Sequence, residues 1–233
     1  MKKPLIILTG PTAVGKTKLS ISLAQAVNGA IISADSMQVY RHMDIGSAKI
    51  RPEEMCGVPH YLIDVLDPSE EFHVVKFVEL AHEAMEKIYA AGQIPIVTGG
   101  TGFYIQALLK EVDFTESHGE LPIRKQLEEK AATEEGAAEL YRELSEVDPA
   151  SAETIHPNNV KRVIRALEYY HETGQKISEH NEEQKQKESP YCSAYFVLND
   201  ERSILYDRID RRVDQMICDG LVDEVFRLKE MGY

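Results

Sequence analysis

Eight consecutive residues near the N-terminus, Gly10, Pro11, Thr12, Ala13, Val14, Gly15, Lys16 and Thr17, have the types and spacing to hold a phosphate. The pattern G-x-x-x-x-G-K-[ST] needs a strand before it and a helix after it. Both are legible: Leu5, Ile6, Ile7 and Leu8 make an apolar β-type run, and Leu19, Leu23 and Val27 recur on one face of a helical pattern. The glycines let backbone N–H groups converge on phosphate oxygens at a helix N-terminus. Lys16 adds a point charge, and the Thr17 hydroxyl is a hard oxygen donor suited to Mg²⁺. The expected ligand is a diphosphate or polyphosphate, against the bland reading of a chance match in a loop.

Three further places carry residues that could act on such a ligand. Asp35 follows a second apolar run, Ala30–Ser33, where a carboxylate serves as general base, as a metal ligand, or simply as a helix N-cap. Thr98-Gly99-Gly100-Thr101-Gly102 closes another run, and three glycines there point to a close backbone approach or to a tight strand-to-helix turn. Thr101 would present its hydroxyl to the same crevice. Near the C-terminus a helical pattern from Ser203 places Leu205, Ile209 and Met216 on one stripe, with Arg212 in it and Arg208 on its flank. An inward arginine requires an anion, either a structural carboxylate or a ligand phosphate.

The elements that must position these residues are an alternation of strands and helices. Five apolar runs, Leu5–Leu8, Ala30–Ser33, Tyr61–Val65, Ile94–Thr98 and Ala194–Leu198, alternate with helical patterns. Runs of this kind read as strands buried on both faces of a parallel sheet. Phe77, Ala81, Ala84, Met85 and Ile88 keep helical spacing, and Gly92 serves as the stop. The fold class is therefore an open α/β sheet flanked by helices, with ligands at the carboxyl ends of the strands.

Residues 114–190 interrupt this pattern with polar helical segments and no β-type run, so they form a helical insertion between core segments 1–113 and 191–233. Within it, Pro122 begins a helix, Asp148-Pro149 breaks one, and Gln175–Ser189 reads as polar and mobile. A helix over 158–171 has Val160, Val163, Ile164 and Leu167 as its apolar stripe and Arg162, Arg165 and Tyr169 opposite. That basic face is either solvated or a phosphate-backbone contact.

A net charge of −13 over 233 residues argues for a soluble protein without a broad nucleic-acid footprint. Cys56, Cys192 and Cys218 share no metal-ligand spacing and read as reduced thiols. No run is long enough to span a membrane, no signal peptide is legible, and the chain is expected to continue beyond Tyr233.

Taken in order, the loop Gly10–Thr17, the segment Ile32–Tyr40, the turn Thr98–Tyr104, the segment His156–Glu168 and the run Leu205–Ile209 resemble the bacterial tRNA dimethylallyltransferases, also called tRNA isopentenyltransferases. The resemblance spans essentially the whole chain. It implies transfer of a prenyl group from dimethylallyl diphosphate to the exocyclic amine of the adenosine 3′ to the anticodon of tRNA. It assigns Asp35 as general base, with Ser36, Met37 and Gln38 on the flipped nucleotide and Thr101 orienting it. Lys16, Thr17, the loop amides and Arg208 would hold the diphosphate, with Mg²⁺ bridging its oxygens at Thr17. Arg124, Arg162 and Arg165 would contact tRNA. A monomer in the cytoplasm, with no membrane association, is the implied setting. An adenylate isopentenyltransferase and an ATP-binding small-molecule kinase are the alternative readings of the same loop.

Overall fold

The computed structural model describes residues 2–112 and 122–233. The chain divides into two compact units, Met1–Val112 with Ser189–Tyr233, and Asp113–Glu188. The domain boundary expected at residues 113 and 114 lies outside the described residues.

In the first unit, β1 (Lys3–Thr9) leads through the phosphate loop into α1 (Lys16–Val27) and β2 (Gly29–Ser33). A long irregular segment then carries the two-residue β3 (His60–Tyr61), followed by α2 (Val74–Ala90), β4 (Ile94–Gly99) and α3 (Gly102–Lys110). The second unit contains α4 (Pro122–Lys130), α5 (Glu134–Val147), α6 (Pro149–Thr154), α7 (Val160–Thr173) and α8 (Ile177–Gln186). The chain returns to the first unit with β5 (Tyr191–Val197), α9 (Arg202–Cys218) and α10 (Leu221–Met231).

The strands form one parallel sheet in the order β3-β2-β4-β1-β5. Register pairs Thr9 with Gly99 and Ser33 with Thr98, so the chain leaves β1, β2 and β4 at one edge. That edge is where the fold puts its ligand. One face is covered by α2 through Phe77, Ala81, Ala84, Met85 and Ile88, all buried, as their helical spacing predicts. Burying a side chain such as Phe77 or Ile88 contributes about 1.5–3 kcal/mol. Gly92 follows the helix in the left-handed region, as a stop should. On the other face α1 packs Ala24 against Ile31 and Ile96.

Several local expectations are corrected. Leu19 is exposed, because the buried line of α1 runs through Ser20 and Ala24 instead. The strand expected over Tyr61–Val65 stops at Tyr61, since Leu62 (φ 62°) and Asp64 (φ 56°) take left-handed backbone that no strand admits. The Val65 and Leu66 amides turn to the Val39 carbonyl instead. The edge strand β5, expected to be buried on both faces, has residues 192–197 exposed: the strand pairs with β1 alone and nothing among the described residues covers it. The polar stretch Gln175–Ser189, read as mobile, contains α8.

The helical unit has its own core, built from Leu127, Leu140, Leu144, Val163, Ile164 and Leu167. Asp148 organises it. Its buried carboxylate accepts from the Ser151 amide (3.1 Å) and hydroxyl (2.7 Å), capping α6, and from the Ser178 amide (3.0 Å) and hydroxyl (2.6 Å), tying down α8. Burial pushes its carboxyl up, but these hydrogen bonds outweigh burial and hold it below its ordinary value of 3.8. A depressed folded pKa stabilises the fold above the unfolded value, and that contribution is lost as pH falls through the lowered one. Asp148→Ala leaves these donors unpaired and is expected to cost about 2–4 kcal/mol of stability. Denaturant titrations at neutral pH and near pH 3 check both statements, because the gap between variant and parent should narrow in acid.

Candidate functional site

At the carboxyl edge of the sheet the phosphate loop faces a cavity of about 320 Å³. Thr12, Ala13, Gly15, Lys16 and Thr17 line one side, Ser33, Asp35 and Gln38 another, and Thr98, Gly99 and Gly100 the floor. Arg212 enters from α9.

The loop's shape depends on two residues that cannot change. Gly10 has φ 150°, and a Cβ there would come 2.5 Å from the Leu198 carbonyl oxygen. Gly15 has φ 96° at the N-cap of α1 and leaves the helix N-terminus open to an anion. Lys16 folds back over the loop, donating to the carbonyls of Gly10 (2.9 Å) and Pro11 (2.8 Å). Burial lowers its pKa, Arg212 pushes in the same direction, and Asp35 opposes both. Two cations and one carboxylate therefore share one cavity.

Asp35 reconciles the two readings of its role. Its Oδ1 accepts from the amides of Met37 (2.8 Å) and Gln38 (3.3 Å), so it does cap a turn. Its Oδ2 carries no hydrogen bond among the described residues, and the side chain lines the cavity. Gln38 is fixed in turn, with its Oε1 accepting from the Ser33 hydroxyl (3.0 Å). Thr98, which lines the cavity, adds a buried hydroxyl without a partner among the described residues. An orphaned hydroxyl and an unengaged carboxylate oxygen are groups that a ligand would satisfy.

Other expected site residues lie elsewhere. Ser36 and Met37 are exposed beside Asp35 and do not line the cavity. Thr101 is the N-cap residue of α3 and does not line it either. The close approach foreseen for the glycine turn is to protein, because a Cβ at Gly99 would collide with the Ala34 carbonyl. Pro11 and Val14 shape the loop without lining the cavity. Arg208, expected on the diphosphate, pairs with Asp200 (2.9 Å), reaches the Ala13 carbonyl at 3.5 Å, and does not line the cavity. Arg212, four residues on and one turn nearer, is the arginine in the cavity. Its place on the inward stripe with Leu205, Ile209 and Met216 is the sequence signal that points to it.

In the helical unit, Arg162 is exposed and pairs with no carboxylate among the described residues. Arg165 (3.0 Å) and Arg124 (3.4 Å) converge on buried Glu168. Tyr169, expected on the polar face, is buried with its ring 5.2 Å from that of His180, because α8 covers that side of α7.

A parallel sheet whose first strand–loop–helix turn forms an anion cradle, opposed by a carboxylate beyond β2 on the far side of β4, defines an α/β protein of the phosphate-loop kind. The comparisons narrow this. The family model described as IPP transferase matches residues 38–233, and the chain belongs to the IPP transferase family. It is 64% identical over 231 residues to the tRNA dimethylallyltransferase of Lachnoclostridium phytofermentans, covering 99% of this chain and 74% of that protein. It is 52% identical over 224 residues to that of Bacillus licheniformis, covering 96% and 71%. Among solved structures, a eukaryotic dimethylallyltransferase acting on tRNA superposes with a TM-score of 0.86 at 38% identity. That match covers 98% of this chain and 56% of the other, so this chain spans little more than half of it. The tRNA isopentenylpyrophosphate transferase of Bacillus halodurans gives a TM-score of 0.68 at 46% identity, over 100% of this chain and 71% of that one.

Proposed function

We infer that this protein transfers a dimethylallyl group from dimethylallyl diphosphate to the exocyclic amine of the adenosine 3′-adjacent to the anticodon in tRNA. The observation that carries the reading is Asp35, with one carboxylate oxygen unengaged among the described residues, facing Lys16 and Arg212 across one cavity in a chain of this family. The adenine amine is a poor nucleophile because its lone pair is delocalised into the ring. As its nitrogen bonds to the prenyl C1, the C1–O bond breaks and the amine proton passes to Asp35 Oδ2. The loop amides, Lys16 and Arg212 receive the charge that develops on the departing diphosphate.

Mg²⁺ fits the donors present. Thr17 and Asp35 supply only oxygen to the cavity, and no cluster of three or more His, Cys, Asp or Glu among the described residues could cage a metal alone. Such a site suits a cation held largely by the diphosphate itself, with the Thr17 hydroxyl as its protein ligand. When bound, it would neutralise charge on the leaving group.

Incubation with dimethylallyl diphosphate and unmodified tRNA, AMP, or ATP plus a phosphate acceptor tests the reading. Prenylated tRNA and free diphosphate are expected; prenylated AMP or ADP formation coupled to product would replace it with the adenylate isopentenyltransferase or the kinase. The setting proposed is the cytoplasm, where tRNA substrates reside. The protein is proposed to act as a monomer, to be checked by gel filtration. No helix among the described residues is long and apolar enough to cross a membrane.

The tRNA contacts proposed for the helical unit divide by ion pairing. Arg162 pairs with no carboxylate among the described residues, whereas Arg165 and Arg124 share buried Glu168 and Arg124 also pairs with Glu128. Arg162→Ala is expected to weaken tRNA binding whatever the tRNA sequence and to lower the salt slope by about one unit. Arg165→Ala should act mainly by leaving buried Glu168 with Arg124 alone, lowering the melting temperature more than the tRNA affinity. Filter binding at several salt concentrations, with melting curves alongside, separates the two.

A further inference from the structure

The segment between β2 and β3 brings Gln38, Ser47 and Ala48 to the cavity, yet from residue 36 to 51 it has no strand or helix to hold its backbone. Backbone amides in such a segment need acceptors from elsewhere. Three consecutive ones, part-buried, find a single carboxylate. The amides of Asp44 (2.8 Å) and Ile45 (2.7 Å) donate to Glu224 Oε2, and that of Gly46 (2.9 Å) donates to Oε1. Glu224 lies on α10, about 180 residues away, is only 5% exposed, and pairs with no cation among the described residues. A carboxylate is costly to bury, and these charge-assisted bonds are what offset the cost.

The contacts continue to the cavity. Ala48 and Lys49 donate their amides to the carbonyls of Ile45 and Asp44, both at 2.9 Å, closing the turn that Glu224 grips. The Ser47 and Ala48 carbonyls then accept from Gln38 Nε2 at 3.3 and 3.4 Å. Gln38 donates its own amide to Asp35 Oδ1. A second anchor, the buried Lys49 ammonium, joins Asp44 (2.6 Å), Asp64 (2.5 Å) and the Tyr40 carbonyl (2.7 Å). The turn is thus held from both ends. We propose that Glu224 is a positioning residue for the adenosine acceptor: by gathering the amides of residues 44–46 it sets the Ser47–Ala48 turn and, through Gln38, the aim of Asp35. This rests on the function proposed above.

Glu224→Gln keeps the side-chain volume but replaces one acceptor oxygen with an NH₂ group that cannot receive an amide. Steady-state kinetics with unmodified tRNA should show kcat/KM reduced on the order of tenfold, while the Kd of dimethylallyl diphosphate stays within about twofold, because the phosphate loop is untouched. Hydrogen exchange at the amides of 44–46 should accelerate in the same variant. A purely structural role predicts a lower melting temperature with kcat/KM for tRNA unchanged well below it, and that result would overturn the proposal. An equal loss in diphosphate affinity would overturn it too. Gly46→Ala is the second variant, should Glu224→Gln not fold. Its Cβ would come within 3.1 Å of Leu221 Cδ1 and 3.5 Å of Glu224 Oε1, displacing the turn while leaving the carboxylate in place. It should reproduce the tRNA-specific loss on a smaller scale. If the unaltered protein prenylates no RNA, the functional reading fails, while unchanged exchange at 44–46 in Glu224→Gln would defeat the positioning role.

Discussion

Asp35→Asn is expected to lower turnover by about 10²–10⁴-fold, the range in which a positioned general base acts. Asparagine is the informative replacement because its side-chain oxygen can still accept from the Met37 and Gln38 amides and so preserves the turn. What it loses is the basic oxygen that carries no hydrogen bond. Dimethylallyl diphosphate should bind close to normally, and the melting temperature should hardly move. Single-turnover measurement of prenylated adenosine, with ligand affinity measured separately, checks this. Near-normal turnover would return Asp35 to the status of a turn cap.

The second large effect belongs to the cations of the cavity. Lys16→Ala and Arg212→Ala are each expected to weaken diphosphate binding by about 10- to 100-fold, as loss of a charge-assisted hydrogen bond does. Arg208→Ala should do less, because that guanidinium is engaged with Asp200 and does not line the cavity. Affinity should also depend on pH. Burial and Arg212 depress the Lys16 pKa below 10.5, so its charge disappears at a lower pH than that of an ordinary lysine. Diphosphate affinity should therefore fall as pH rises through the lowered value, and Lys16→Arg, which stays charged, should flatten that decline. Isothermal titration of the parent and the three alanine variants over alkaline pH, with Lys16→Arg alongside, reads both. Equal losses from Arg208→Ala and Arg212→Ala would remove the distinction that the geometry draws.

Features that depend on neighbours along the chain are legible from the residues alone. The phosphate loop is one: its glycine conformations, its helix N-terminus and Lys16 all lie within eight residues, so spacing alone specifies the cradle. The face of α2 is another, since helical periodicity places Phe77 and Ile88 on one side whatever packs there. Asp35 can be located by its position after a strand but not given a role, because a cap and a base use the same carboxylate. Only the folded chain shows one oxygen capping and the other unengaged among the described residues.

Long-range packing decided the rest. Arg208 and Arg212 lie one helical turn apart, and which of them enters the cavity depends on how α9 lies against the sheet edge. Tyr169 is buried because α8 forms from a stretch whose polarity conceals it, held by Asp148 from 30 residues away. Exposure of β5 follows from what covers the sheet edge, which no property of its own apolar residues records. Glu224 looks like any acid on a polar helix. Its meeting with the amides of residues 44–46 is fixed by tertiary structure alone, because hydrogen bonds between distant segments leave no periodicity in the sequence.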